Sequence, residues 1–229
     1  MATSGSGLSS AAGGGGGGEG GGDSGPSASS AIDFLSVCQR LKSTKRAGWV
    51  LKGVEAPESV ADHMHRMGLM ALIAADIPGL DRDRCIKMAI VHDIAEAIVG
   101  DITPSDGVPK EEKNRREQQA LDYLCKLLGG GSRAQEIHGL WMEYEQSSSL
   151  EAKIVKDFDK VEMILQALEY ETEQGKNLDD FFQSTAGMSL STCARLLMSY
   201  GASSPGGKSS ISVCSLFSAD CRCLGFSEG

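Results

Sequence analysis

The stretch Ala89-Ile90-Val91-His92-Asp93-Ile94-Ala95-Glu96 decides how this chain is read. Apolar residues run through it, yet a histidine and an aspartate stand side by side in its middle. On a helical wheel His92 and Asp93 are about 100° apart, and Glu96 lies one turn further along the same face. Cys85 and Ala89 share that face, so it points inward. Leaving a neutral polar group unpaired in a core costs roughly 2–7 kcal/mol, and a charge costs more. A divalent metal removes that cost by taking both side chains as ligands. Imidazole plus carboxylate suits Mn, Fe, Co, Ni, Zn or Mg better than a soft metal. Two ligands are too few, so other elements must supply the rest.

Outward from this stretch the periodicity is helical throughout, and residues 31–186 read as one all-α domain. Ser30 with Asp33 is a variant capping box. It is expected to open a helix with Ile32, Leu35, Cys38 and Leu41 on one face. Gly53 and Pro57 mark a turn, after which Ser59 with Asp62 repeats the signal. The second helix runs to about Asp76, with Val60, Met64, Met67 and Leu72 among its apolar positions, and Pro78-Gly79 breaks it. Asp81 caps a third helix that carries the His–Asp pair and stops near Gly100. Pro109 is placed as the first residue of a fourth helix, with Leu121, Leu124, Cys125 and Leu128 as its face. After Gly129-Gly130-Gly131, Ser132 caps a fifth bearing Ile137, Leu140, Trp141 and Tyr144. A long sixth helix spans about 150–174, with Ile154, Phe158, Val161, Leu165 and Leu168 at helical spacing. A short helix near Leu178–Ser184 follows. No stretch alternates with period two between turn signals, so no sheet is expected.

The two ends differ from the middle. Residues 1–30 are almost entirely Gly, Ser and Ala, with an unbroken Gly13–Gly18. Such a segment buries too little apolar surface to offset its ordering entropy and is expected to be disordered. Residues 187–229, rich in Ser, Gly and Cys, form an atypical tail expected to be poorly ordered. Neither end resembles a signal or transit peptide, and no apolar run is long enough to span a bilayer. The expectation is a soluble cytoplasmic protein. The net charge of −9 disfavours a nucleic-acid duplex as partner, which would need a basic face. It leaves room for a small anionic substrate. Of the seven cysteines, Cys38, Cys85 and Cys125 fit as small buried hydrophobes, and the four in the tail show no paired zinc spacing.

Further ligands must come from a short supply. Only His63, His65, His92 and His138 are present. His63 and His65 point in nearly opposite directions, and His63, with Met67 and Met70 on following turns, lies on the apolar side. His138 has no ligand-like company. Asp101, just past Gly100, sits where a loop overhangs the His–Asp pair. Asp157 and Asp159 flank Phe158 in the sixth helix, and periodicity does not choose between them.

Taken in order, Ala61-Asp62-His63, His92-Asp93-Ile94-Ala95-Glu96, Gly100-Asp101-Ile102-Thr103-Pro104 and Lys156-Asp157-Phe158-Asp159-Lys160 resemble the successive motifs of the HD-domain metal-dependent phosphohydrolases. The 5′-deoxynucleotidase branch is the most similar, over about residues 31–185. The resemblance implies a compact multi-helix HD fold and a divalent metal ion (Mn, Co or Mg) held by His63, His92, Asp93 and Asp159. It also implies room for further ions near Glu96, Asp101 and the carbonyl of Ile102. Glu96 and Asp101 are the implied catalytic groups, the first handling water or protons and the second the leaving oxygen. Arg46 is the implied phosphate ligand. In related bacterial enzymes a tryptophan follows that arginine and helps recognise deoxyribose. Here Ala47 follows and Trp49 comes later, a departure that bears on 2′-deoxy selectivity. The implied reaction is hydrolysis of deoxyribonucleoside 5′-monophosphates by a homodimer. Two alternatives stand beside it: a phosphohydrolase or phosphodiesterase acting on another nucleotide, and a non-catalytic helical metal-binding interaction module.

Overall fold

The computed structural model describes residues 25–74 and 77–185. The tail at 187–229 and most of the Gly-rich start lie outside the described residues, as does Asp76. Among the described residues nine α-helices follow one another: α1 Ala28–Cys38, α2 Ala47–Leu51, α3 Val60–Ile73, α4 Arg82–Val91, α5 Glu96–Val99, α6 Lys110–Leu127, α7 Gly131–Gln146, α8 Leu150–Gln174 and α9 Asp179–Thr185. Short 3₁₀ turns cover Gln39–Lys42 and Pro104–Asp106. Among the described residues there is no strand, only an isolated antiparallel bridge between Lys45 and Ser59. None of these helices is long and apolar enough to cross a membrane.

The caps explain several boundaries. At α3 the Ser59 hydroxyl accepts from the Asp62 backbone N–H while the Asp62 carboxylate accepts from the Ser59 N–H, the reciprocal pair expected there. Asp81 and Ser149 cap α4 and α8 with their side chains. Three expectations are corrected. The cap of α1 is Ser27, whose hydroxyl accepts from Ser30 N–H, so Ser30 falls in the first turn. That phase turns Phe34 inward and leaves Ile32 and Leu35 each 63% exposed. The cap of α7 is Gly130, not Ser132, and Pro109 caps α6 rather than occupying its first position. Leu72, near the end of α3, also lies on the exposed side.

Among the described residues apolar packing forms three clusters. Met67, Met88, Leu140, Ile154 and Phe158 join α3, α4, α7 and α8. Phe34, Leu41, Met64, Ile94, Leu121, Leu124 and Trp141 join α1, α3, α6 and α7. Trp49, Ile164, Tyr170, Leu178 and Phe182 bind α2 and α9 to the second half of α8. Burying each large side chain contributes about 1.5–3 kcal/mol. α3 contributes to the first two clusters and α8 to the first and third, which makes these helices the scaffold from which site residues project.

The largest departure from expectation lies in the opening stretch. The helix starting at Arg82 does not run to Gly100; it breaks over His92–Ala95, which form turns, and resumes as the one-turn α5. The backbone bonds tighten to i→i−3, from Ile94 to Val91 and from Glu96 to Asp93. His92 drives the break, because its Nδ1 donates to the Ala89 carbonyl at 2.9 Å, the acceptor that Asp93 N–H would use in a continuing helix. The result is a corner that turns His92, Asp93 and Glu96 toward a common interior.

Candidate metal centre and adjoining cavity

Three separate elements bring the site together. His63 comes from the first turns of α3, His92 and Asp93 from the corner after α4, and Asp159 from the middle of α8. One ligand atom each of His63, His92 and Asp159 lies within 4.8 Å of the others. Asp93 Oδ2 stands 3.1 Å from His92 Nε2 and 3.9 Å from His63 Nε2, while Asp159 Oδ1 stands 3.2 Å from His63 Nε2. Asp157, the other acid flanking Phe158, pairs with Lys160 instead. His65 is exposed, and His138 faces Asp122 at 3.8 Å, far from this group in the contacts it makes.

Both ring tautomers are fixed from behind. The His92 Nδ1 proton goes to a carbonyl, which only accepts, so Nε2 is the atom presented inward. His63 Nδ1 is 2.6 Å from Glu162 Oε2, and Glu162 is itself fully buried and bonded to Arg66. The two Nε2 atoms, together with Glu96 Oε2, are the buried side-chain polar atoms without a hydrogen-bond partner among the described residues. Two inward nitrogens lie beside carboxylate oxygens with no bond between them. That arrangement is repulsive unless a cation sits among them, and a divalent metal fits this donor set of imidazole and carboxylate. A carboxylate behind a ligating histidine is the usual way such a ring is oriented and made more basic.

The charges agree with the geometry. Burial and the Arg46 guanidinium both oppose protonation of His63, yet Asp159 and Glu162 outweigh them and raise its pKa to about 10. A proton and a metal ion therefore compete for one position. Burial opposes ionisation of Asp159, but His63, His92 and Arg46 hold it well below the usual carboxylate range. Asp93 is likewise lowered against its burial, by His92 and Arg46. Glu96 goes the other way. Burial first, then the Asp93 and Asp101 carboxylates, push it up to about 10.

Arg46 sits at the rim of this centre, 3.4 Å from Asp93 and 3.9 Å from Asp159. Its backbone N–H donates to the Glu58 carbonyl, and the next N–H, of Ala47, donates to Asp101 Oδ2 at 2.7 Å. Gly100, at φ +76°, turns the chain so that Asp101 reaches across. The Ile102 carbonyl accepts from Lys113 Nζ at 3.0 Å. Of the three groups expected around further ions, Asp101 and Ile102 are thus engaged by protein donors, and Glu96 Oε2 alone is unpartnered. A cavity of about 510 Å³ opens from the centre, with Arg46, Asp101, Lys113 and Phe181 in its wall. Trp49 borders it but is 2% exposed, with Nε1 donating to Glu58 and its ring against Phe181 and Tyr170.

Residues 38–195 match the family described as HD domain. The chain belongs to the HD domain family. The human protein named 5′-deoxynucleotidase HDDC2 is 51% identical over 166 residues, covering 72% of this chain and 80% of that protein. The 5′-deoxynucleotidase hdd1 of Schizosaccharomyces pombe is 50% identical, covering 62% and 73%. Among solved structures, the PH0347 protein from Pyrococcus horikoshii superposes with a TM-score of 0.57 at 38% identity, covering 67% of this chain and 86% of that one. The compact all-α architecture expected from the motifs is therefore the architecture found. Three side chains of this HD domain that touch the centre or its rim have no role in the sequence reading: Glu162, Tyr144 and Lys113. Glu162 is three residues beyond Asp159 on the same helix, a spacing that signals a shared face. Nothing local marks the other two.

Proposed function

We propose that the protein is a metal-dependent 5′-deoxynucleotidase, which hydrolyses deoxyribonucleoside 5′-monophosphates to deoxynucleoside and phosphate. The observation that carries this reading is the pair of unpartnered Nε2 atoms of His63 and His92, facing carboxylates beside a half-buried arginine at the end of an open cavity. It agrees with the names of relatives about half identical in sequence. His63, His92, Asp93 and Asp159 hold the metal. When bound, a divalent cation supplies an activated water at neutral pH and neutralises charge on a phosphoryl oxygen.

The rest is done by the chain. Arg46 binds the phosphate dianion, fixed in place by Glu58 on one side and by the Asp101–Ala47 bond on the other. Its charge, held by Asp93 and Asp159, meets the phosphoryl oxygens as the water oxygen bonds to phosphorus and the bond to O5′ breaks. Glu96, buried at the cavity edge and held protonated by that burial and by its acidic neighbours, orients the water and relays its proton, accepting on one oxygen as it releases from the other. Asp101 accepts from Ala47 N–H through Oδ2, and its carboxylate hands the proton given up by the water on to the departing 5′ oxygen. Lys113 holds the loop through Ile102 and keeps Asp101 over the site.

The test is phosphate release from dAMP, dCMP, dGMP, dTMP and dUMP with Co, Mn or Mg, against the matching ribonucleotides and a cyclic nucleotide. Release from the deoxy monophosphates supports the reading. A folded protein inactive with every metal refutes it, and turnover of the cyclic nucleotide alone reassigns the substrate. Trp49, buried behind Phe181, is not at the position next to Arg46, so the deoxy-to-ribo ratio reads out what that displacement does. The homodimer expected of the chain is tested by its mass in light scattering.

A further inference from the structure

Asp159 is the most exposed of the four groups assigned to the metal, with 32% of its side chain accessible, against 20% for Asp93 and none for the histidines. A carboxylate on a helix surface rotates readily about χ2, and Asp159 has two attractive directions. Its Oδ1 lies 3.2 Å from His63 Nε2 and 3.9 Å from the Arg46 guanidinium. A hydrogen bond restrains its other oxygen from outside the ligand set. The Tyr144 hydroxyl, from α7, donates to Asp159 Oδ2 at 2.9 Å. The Tyr144 ring is buried, and its centroid is 5.0 Å from that of His92, so one side chain touches ligands from two different elements. Lys156 closes over the ring at 4.9 Å while bonding to the Glu145 carbonyl, a second contact that holds the ring.

We infer that Tyr144 is a positioning residue: its hydroxyl ties down Asp159 Oδ2, keeps Oδ1 closer to His63 than to Arg46, and so sets the affinity of the centre for its metal. The inference rests on the metal-centre reading above. Loss of the hydroxyl frees the carboxylate to swing from His63 and close its 3.9 Å contact with Arg46, which removes a ligand and occupies the phosphate-binding group together.

Tyr144→Phe keeps the ring and its packing and deletes only the donor. Mn²⁺ binding by the full chain is measured by calorimetry, beside Tyr170→Phe as a control. Tyr170 is also buried, but its hydroxyl accepts from Glu58 N–H and makes no contact with the four ligand groups. The expected result is a Mn²⁺ affinity about 10–100-fold weaker in Tyr144→Phe, unchanged affinity in Tyr170→Phe, and metal-free melting temperatures within a few degrees of the parent in both. Equal affinity in Tyr144→Phe and the parent overturns the inference and leaves the metal centre standing. Equal weakening in both variants also overturns it, because general loosening then explains the effect. No Mn²⁺ binding by the parent overturns the centre and the inference together.

Discussion

His63 gives its Nδ1 proton to Glu162, 99 residues away on another helix, whereas His92 gives its own to the carbonyl of Ala89, three residues back. The two rings end 5.5 Å apart with the same nitrogen exposed to the same interior. One is fixed by tertiary structure and the other by a local break in secondary structure. The anchor of His63 is a side chain that a single substitution removes. The anchor of His92 is a peptide carbonyl that no single substitution removes. The His63 side therefore carries the adjustable half of the centre.

The largest effects come from the rings themselves. His92→Ala and His63→Ala are each expected to abolish stoichiometric metal binding and to lower turnover by at least about a thousandfold, read by metal analysis and phosphate release. If either variant keeps its metal, the two rings are not equivalent ligands. Below that comes Glu162→Gln. It keeps an acceptor for His63 Nδ1 but removes the charge, and it leaves Arg66 to Gln166 and Glu169. Metal affinity is expected to fall about 10–100-fold. An unchanged affinity means that the local geometry of α3 alone places the ring.

Buried glutamates sharpen the contrast through pH. Glu162, despite complete burial, is held below its ordinary pKa by His63 and Arg66. Glu117, in the cavity wall, faces the more distant ammonium of Lys113 at 3.5 Å. Burial pushes it up to about 7, helped by Glu145 and Asp93 and opposed by Lys113. A folded pKa above the unfolded one means stability that is fully present below about pH 4.5 and lost as pH rises through 7. Relative to Glu117→Gln, the parent is expected to lose roughly 1–3 kcal/mol between pH 4.5 and 8. Denaturant melts of both proteins across that range check it; parallel curves would show that Glu117 ionises normally.

Legibility divides along the same line. The capping box at Ser59, the span of α8 and the inward face carrying His92 depend on neighbours within a turn or two, and the sequence displays them. The break at His92–Ala95 was also local, but helical periodicity hides it, because the competing acceptor is a side-chain nitrogen reaching a carbonyl. At α1 the sequence reading places the cap at Ser30, three residues past the observed cap Ser27, and that shift turns the expected face away from Phe34. Glu162 and Tyr144 act only because α8 meets α3 and α7, and no spacing within one helix states what the facing helix carries. Motif resemblance, not pattern, favours Asp159 over Asp157, since both border the buried stripe.

The smallest effect tests whether local or long-range order places His63. Ser59→Ala removes the hydroxyl that accepts from Asp62 N–H at 3.2 Å and leaves the first turn of α3 partly uncapped. Loss of such a cap costs typically about 1 kcal/mol, within a range of roughly 0.5–2. His63 lies in the next turn, with its own N–H bonded to the Ser59 carbonyl. If the cap located the ring, metal affinity would fall in step with stability. The Glu162 bond reaches the ring from α8, however, and the Lys45–Ser59 bridge still pins the start of α3. The expected outcome is therefore a lower melting temperature with metal affinity within about threefold of the parent, since most of the cost falls on the free ends of the turn. A tenfold loss of affinity in Ser59→Ala would move the weight from Glu162 to the helix end, and His63 would then be held locally, as His92 is.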